Sequence, residues 1–178
     1  MKFWMENKKN KAFTLIELLV VIAIIGIISS VVLASISRAR TRAQDAAKNE
    51  EARQIITALE LYYQANGGYP VQDGTNATEL KCLGFSHTEN CLNGARNGNV
   101  ALNDAIKEFM PGLKANRSPV PGNLTGITYR CETNALIDNK CPQYVLMWYL
   151  ATPDGRCLGN TIQEILGSVG IPSCTYSK

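Results

Sequence analysis

After a lysine-rich start, residues 13–37 (FTLIELLVVIAIIGIISSVVLASIS) form a run in which Glu17 is the one charged side chain. A bilayer core about 30 Å thick needs roughly 20 apolar residues of helix, so this run can span one. Polar residues return at Arg38, with no proline or glycine before Gly67. Apolar positions then recur at spacings of three and four: Ala39, Ala43, Ala46, followed by Ala52, Ile55, Ile56, Leu59, Tyr62 and Tyr63. This is the stripe of an amphipathic helix, with Gln44, Lys48, Glu51, Gln54 and Glu60 on its polar side. Asn66 and Gly67 suit a left-handed cap, and Pro70 forbids continuation. The pattern predicts one helix over residues 13–65, about 80 Å long at 1.5 Å per residue. One half faces lipid, and the other docks on something.

The remaining pattern is shorter and more broken. Residues 100–110 (VALNDAIKEFM) predict a helix capped by Asn99 and closed by Pro111. GITYRC, ending at Cys131, and YVLMWYL, from Tyr144 to Leu150, are rich in β-branched and aromatic residues and predict strands. The Pro-Asp-Gly core of residues 152–156 predicts a turn into a third strand near Cys157. NTIQEIL, ending at Leu166, predicts a further helical turn, and Gly112 to Gly126 a loop. The expected fold class is α+β, a long helix packed on a small antiparallel sheet. The expected segments are 1–12, a leader; 13–37, the transmembrane half of the helix; 38–66, its amphipathic half; and 67–178, a globular domain.

Charge adds little beyond the N-terminus. The formal net charge of +3 resides in the first twelve residues, where Lys2, Lys8, Lys9 and Lys11 face Glu6, and the rest of the chain balances. A nucleic-acid partner, which calls for a basic face, is not indicated. Lys114 with Arg117 is the best local patch, and solvated loop charges are the simpler reading. All six cysteines, Cys82, Cys91, Cys131, Cys141, Cys157 and Cys174, follow the helical region. An even count there predicts three disulfides in an oxidising compartment. Short loops favour Cys82–Cys91, Cys131–Cys141 and Cys157–Cys174 among the fifteen pairings. His87, the one histidine, lies between Cys82 and Cys91 without the tighter ligand spacing of a zinc site, and no metal or other cofactor is expected. No GxSxG is present, and His87, the one candidate base, lies in a Cys-flanked loop where a plain surface role is the simpler reading, so no catalytic residue is expected. Tyr69, Tyr144, Trp148 and Tyr149 suggest core before they suggest a stacking surface.

An ionised carboxylate at the centre of a membrane helix costs roughly 2.5–3.5 kcal/mol, and such residues are functional by default. Glu17 lies near one end of the run, so it can snorkel to the interface at lower cost. The sharper reading supplies it with a cation. Proteolysis between Ala12 and Phe13 creates a new amine at Phe13, four residues from Glu17 and within reach of the glutamate on a neighbouring copy. A secretory signal peptide ending near ASIS (Ala34–Ser37) is the rival reading, although its apolar core is usually ~7–15 residues.

KAFTLIE (Lys11–Glu17) with the apolar run to Ile28 resembles the N-terminal cleavage and methylation segment of type IV pilins and type II secretion pseudopilins. ALELYYQANGGYP (Ala58–Pro70) is similar to the end of the long helix in many of them. The two stretches cover less than a third of the chain. The resemblance implies a lollipop fold, cleavage between Ala12 and Phe13 by a prepilin peptidase, and N-methylation of Phe13. It also implies that Glu17 neutralises the amine of a neighbouring subunit during assembly. The implied partners are further copies of the chain, the peptidase, a pilus or secretion assembly platform, and membrane lipid before assembly. The implied location is the cytoplasmic membrane as a single-pass precursor with its globular domain outside, then a surface filament. Ala12 stands where the family mostly has glycine, and Ala34 where many relatives have a proline that loosens the helix after Gly26. A secretion or DNA-uptake pseudopilin is the alternative within the family. A single-span anchored binding domain, with Glu17 incidental, is the alternative outside it.

Overall fold

In the computed structural model of the chain, residues 13–72, 76–117, 120–166 and 170–178 are described. The leader, residues 1–12, lies outside them. Helix α1 runs from Leu15 to Asn66. Gly67 follows in the left-handed conformation at φ 72°, and its N–H donates to the Tyr63 carbonyl at 2.7 Å. This is the glycine stop expected beyond a helix C-terminus. The chain divides into two compact units, with the boundary inside α1 between Ala39 and Arg40.

From Leu15 to Ala39 the first unit is helix. Its apolar side chains are exposed throughout, from Leu15 at 82 % to Ile36 at 57 %. The helix stays regular through Gly26, where an added Cβ would meet nothing within 4 Å.

The second unit is α+β. Its five-stranded antiparallel sheet has the order β1 (Lys81–Cys82), β4 (Ile127–Cys131), β5 (Tyr144–Tyr149), β7 (Ile171–Ser177), β6 (Ile162–Leu166). A two-stranded ribbon, β2 (Asn90–Cys91) and β3 (Arg96–Asn97), lies beside it. Helix α2 covers Val100–Lys107, and the Asn99 side chain accepts the Leu102 N–H as its cap. Bridges join Cys82 to Cys91, Cys131 to Cys141 and Cys157 to Cys174. Each closes a short loop around a sheet whose hydrophobic core is small, where cross-links add most.

Ala52, Ile55, Ala58 and Leu59 of α1 pack in one core with Leu102 and Ile106 of α2 and Tyr129, Tyr144, Leu146 and Trp148 of the sheet. Two polar contacts fix the helix on this sheet. Trp148 Nε1 donates to Asn49 Oδ1 at 2.9 Å. The buried Asp45 carboxylate accepts the N–H groups of Ala151 and Thr152 at 2.6 and 2.9 Å, with the Thr152 hydroxyl also bonded to it. A helix side chain thereby satisfies the backbone of the loop leaving β5, groups that would be costly to bury unpaired.

Several expectations need correction. Ala39, Ala43 and Ala46 are exposed; the inward stripe is Asp45, Lys48, Ala52, Ile55 and Leu59. Lys48, expected on the polar side, is 1 % exposed. The stripe follows a three-four rhythm that ignores chemistry at its first two positions, because the loop after β5 needs a carboxylate there. No strand forms at Cys157; the chain stays irregular until Ile162. Residues 162–166 are then a strand, not a helical turn. So short a helix would carry the full cost of nucleation, whereas β7 offers a complete antiparallel ladder from Ile162–Thr175 to Leu166–Ile171.

Lys48 Nζ is buried without a hydrogen-bond partner among the described residues. Desolvation lowers its pKa to about 8, against partial compensation by Asp45 and Glu51. The unfolded chain therefore holds this proton between about pH 8 and the ordinary lysine range near 10.4, where the folded chain has lost it. Stability should rise with pH across that window. Burial raises the phenol of Tyr69 to about 12 and that of Tyr144 further, so alkaline loss begins only as unfolded tyrosines ionise near pH 10. Urea unfolding of the full chain in detergent, followed by Trp148 fluorescence, should give a midpoint that climbs from about pH 7.5 to 9.5. Lys48→Met should raise the midpoint at about pH 7.5, by on the order of 1–3 kcal/mol in stability, and flatten the climb. A flat wild-type profile would contradict this.

Candidate functional site

The first turn of α1 holds the residues singled out at the N-terminus. Thr14 immediately precedes the helix, and its carbonyl accepts the Leu18 N–H at 3.3 Å, which makes it the N-cap. Its hydroxyl oxygen accepts the Glu17 N–H at 3.3 Å. Glu17 Oε2 in turn accepts the Thr14 N–H at 2.9 Å and the Thr14 hydroxyl at 2.8 Å. This reciprocal arrangement is a capping box, Thr-x-x-Glu, which satisfies donors that a helix start leaves open. A carboxylate at this position is further favoured by the positive end of the helix dipole.

Glu17 thus has a structural role that its charge alone did not suggest. Oε2 is engaged by the cap, while Oε1 has no bond to any described residue. A carboxylate offers about four lone-pair sites, so Glu17 can hold its own helix start and still accept an external cation. Phe13, 84 % exposed, lies one residue before the cap. Ala12, the other side of the expected cut, lies outside the described residues. Reading Glu17 only as a charge passed over Thr14, although the spacing of Thr14 and Glu17 was legible as a capping signal.

The secondary candidates are scattered. His87 is exposed, and among the described residues no group of three or more His, Cys, Asp or Glu is placed to hold a metal. Arg117 is bonded to Glu89 and lies over the Phe85 ring at 5.1 Å, and Lys114 is exposed. Tyr69, Tyr144, Trp148 and Tyr149 are buried; they are core, with the Tyr69 and Tyr144 rings 4.5 Å apart. The six cysteines are all bridged.

Residues 7–33 match the family model of the prokaryotic N-terminal methylation motif. The chain is 37 % identical over 81 residues to the type IV wide pilus major component PilA4 of Thermus thermophilus, covering 46 % of this chain and 59 % of that protein. It is 30 % identical over 87 residues to the type II secretion system core protein G of Pseudomonas aeruginosa, covering 48 % and 61 %. A longer, weaker similarity, 23 % over 171 residues, links it to the type IV major pilin protein PilA of Myxococcus xanthus, covering 96 % and 72 %. The chain spans about three-fifths of the first two relatives. No solved structure matches.

If the cap is as described, Thr14→Ala should speed hydrogen exchange at the Glu17 amide in detergent micelles. The expected factor is about fivefold, the equivalent of roughly 1 kcal/mol of capping energy. Thr14→Ser should leave the rate near wild type, and equal rates in all three proteins would exclude the cap.

Proposed function

We propose, from the methylation motif at residues 7–33 and the similarity to two type IV pilins and a type II secretion core protein, that the chain is a member of the type IV pilin and type II secretion pseudopilin family and a structural subunit of a type IV pilus-like filament. The family is one of structural subunits and not of enzymes. In this reading prepilin peptidase cuts between Ala12 and Phe13, the Phe13 amine is methylated, and the subunits polymerise through their N-terminal helices. Before assembly the chain is a single-pass precursor in the cytoplasmic membrane, its disulfide-bridged domain outside, handed on to an assembly platform. Afterwards it is part of a surface filament.

The observation that carries the proposal is Glu17, a carboxylate at the start of an exposed apolar helix with one oxygen engaged in the cap and the other without a partner among the described residues. The free oxygen suits the amine of Phe13 on a neighbouring copy. In an apolar medium that pairing is favoured because the alternative is an uncompensated charge. It would thus reward a copy that docks in register over one that slips. The similarity to core protein G supports a second reading, a secretion pseudopilin built on the same helix chemistry.

Glu17 has two separable roles, and two substitutions divide them. Glu17→Gln keeps an acceptor for the cap, since glutamine also closes a capping box, but removes the charge. Glu17→Ala removes both. Both variants should be inserted and cleaved, and both should yield at least about tenfold less sheared surface filament, the worth of a single charge-assisted contact. Normal filaments from Glu17→Gln would show that amine neutralisation is not required, and any loss in Glu17→Ala would then belong to the cap.

A further inference from the structure

A second site lies in the second unit, where the chain has just left the apolar run. A cleft of about 230 Å³ opens between α1 and the turn after β5, lined by Arg42, Asp45, Asn49, Thr152, Asp154 and Arg156. We propose that it binds the headgroup of a zwitterionic phospholipid with a primary ammonium, phosphatidylethanolamine, while the precursor is in the membrane; this rests on the membrane-precursor reading above.

The walls of the cleft are held in place. Asp45 spends both carboxylate oxygens on Ala151 and Thr152. Asn49 donates to the Arg156 carbonyl at 2.8 Å and accepts from Trp148 Nε1 at 2.9 Å. The Gly155 N–H closes the turn on the Thr152 carbonyl at 2.9 Å, and the Gln163 side-chain amide of β6 donates to the Gly155 carbonyl at 3.0 Å. Helix and turn are therefore locked to each other, and little ordering would be needed on binding.

The charged groups at the mouth are free to exchange partners. Arg42 pairs with Asp154 at 2.8 Å, but both side chains are about two-thirds exposed, at 67 % and 66 %. Such surface pairs contribute roughly 0–1 kcal/mol. Arg156 has no ion pair among the described residues. With Asp45 committed, the mouth offers two guanidinium groups and one carboxylate. A phosphodiester takes the guanidinium groups, in bidentate geometry where it can. Asp154, released from Arg42, then needs a cation with N–H donors. An ethanolamine headgroup brings both charges in one ligand. A choline headgroup has no N–H to donate, and an anionic glycerol headgroup leaves Asp154 without its cation.

Position along the chain agrees. The uncharged run ends at Ser37, and Arg42 is five residues on, about 7.5 Å along a helix. The headgroup layer is roughly 5–8 Å thick on each side of the hydrocarbon core. The arginine backbone thus falls at the outer edge of the headgroup layer, from which its long side chain can reach back to the lipid phosphates.

The test is native mass spectrometry of the full chain released from nanodiscs of equimolar phosphatidylethanolamine, phosphatidylcholine and phosphatidylglycerol. Membrane insertion is scored first by co-flotation. The expected result is retained phosphatidylethanolamine, favoured about tenfold over each of the others, the worth of one charge-assisted hydrogen bond. The double variant Arg42→Gln, Arg156→Gln should lose lipid retention, and Asp154→Asn should lose the preference over phosphatidylglycerol. Soluble O-phosphoethanolamine added to the full chain in detergent should compete weakly. Competition as strong as that of the lipid would assign the cleft to a free phosphate ester. A chain that inserts but retains the three lipids equally, or prefers phosphatidylglycerol, overturns the proposal and leaves the filament reading intact. A chain that does not insert overturns both.

Discussion

Across residues 15–33 and at Ile36, the large apolar side chains of α1 are exposed, and the apolar stretch has a mean hydropathy of 2.9. Exposed hydrophobic surface on this scale requires a cover, and lipid or other copies of the helix can provide one. Lipid covers any such helix without regard to register, whereas copies must align. The charged residue at the helix start matters for this reason. In the proposed filament a misplaced copy would cost little among apolar side chains, but beside Glu17 it would leave a carboxylate uncompensated.

The capping box changes how that carboxylate should be understood. Thr14 and Glu17 exchange three hydrogen bonds, so the glutamate is held in one position before any partner arrives. A preorganised acceptor loses less entropy on binding than a swinging side chain. In the proposed filament the residue that begins the helix would also receive the amine of a neighbouring chain. The second unit has an analogous economy: Asp45 completes the backbone hydrogen bonds of the loop after β5 and in doing so holds α1 on the sheet.

Much of this was legible in the sequence where local chemistry and tertiary demand agree. The long helix, its glycine stop, α2 with its Asn99 cap, and β4 and β5 all declare themselves through periodicity or β-branched content. What was not legible depended on contacts far along the chain. Lys48 reads as a surface lysine because nothing local reveals that the face of Ile55 and Leu59 extends one turn further to include it. The alanines 39, 43 and 46 read as a buried face, yet small side chains reach too little to announce a packing partner. Strand β6 has a helix-like composition, and its conformation is decided by the neighbouring β7 and the Cys157–Cys174 bridge. At the candidate site Glu17 stood out by its charge, while Thr14 went unread although its spacing carried the signal.

The central claim is that the chain is cut before Phe13 and displayed as part of a filament. The most direct measurement is the intact mass of the protein sheared from the surface of its native cells, before and after reduction. The account predicts a chain beginning at Phe13, carrying one added methyl group and gaining six hydrogens on reduction of three disulfides. A chain that still begins at Met1 and is recovered only from membranes would contradict it, and would make a membrane-anchored binding domain the better description.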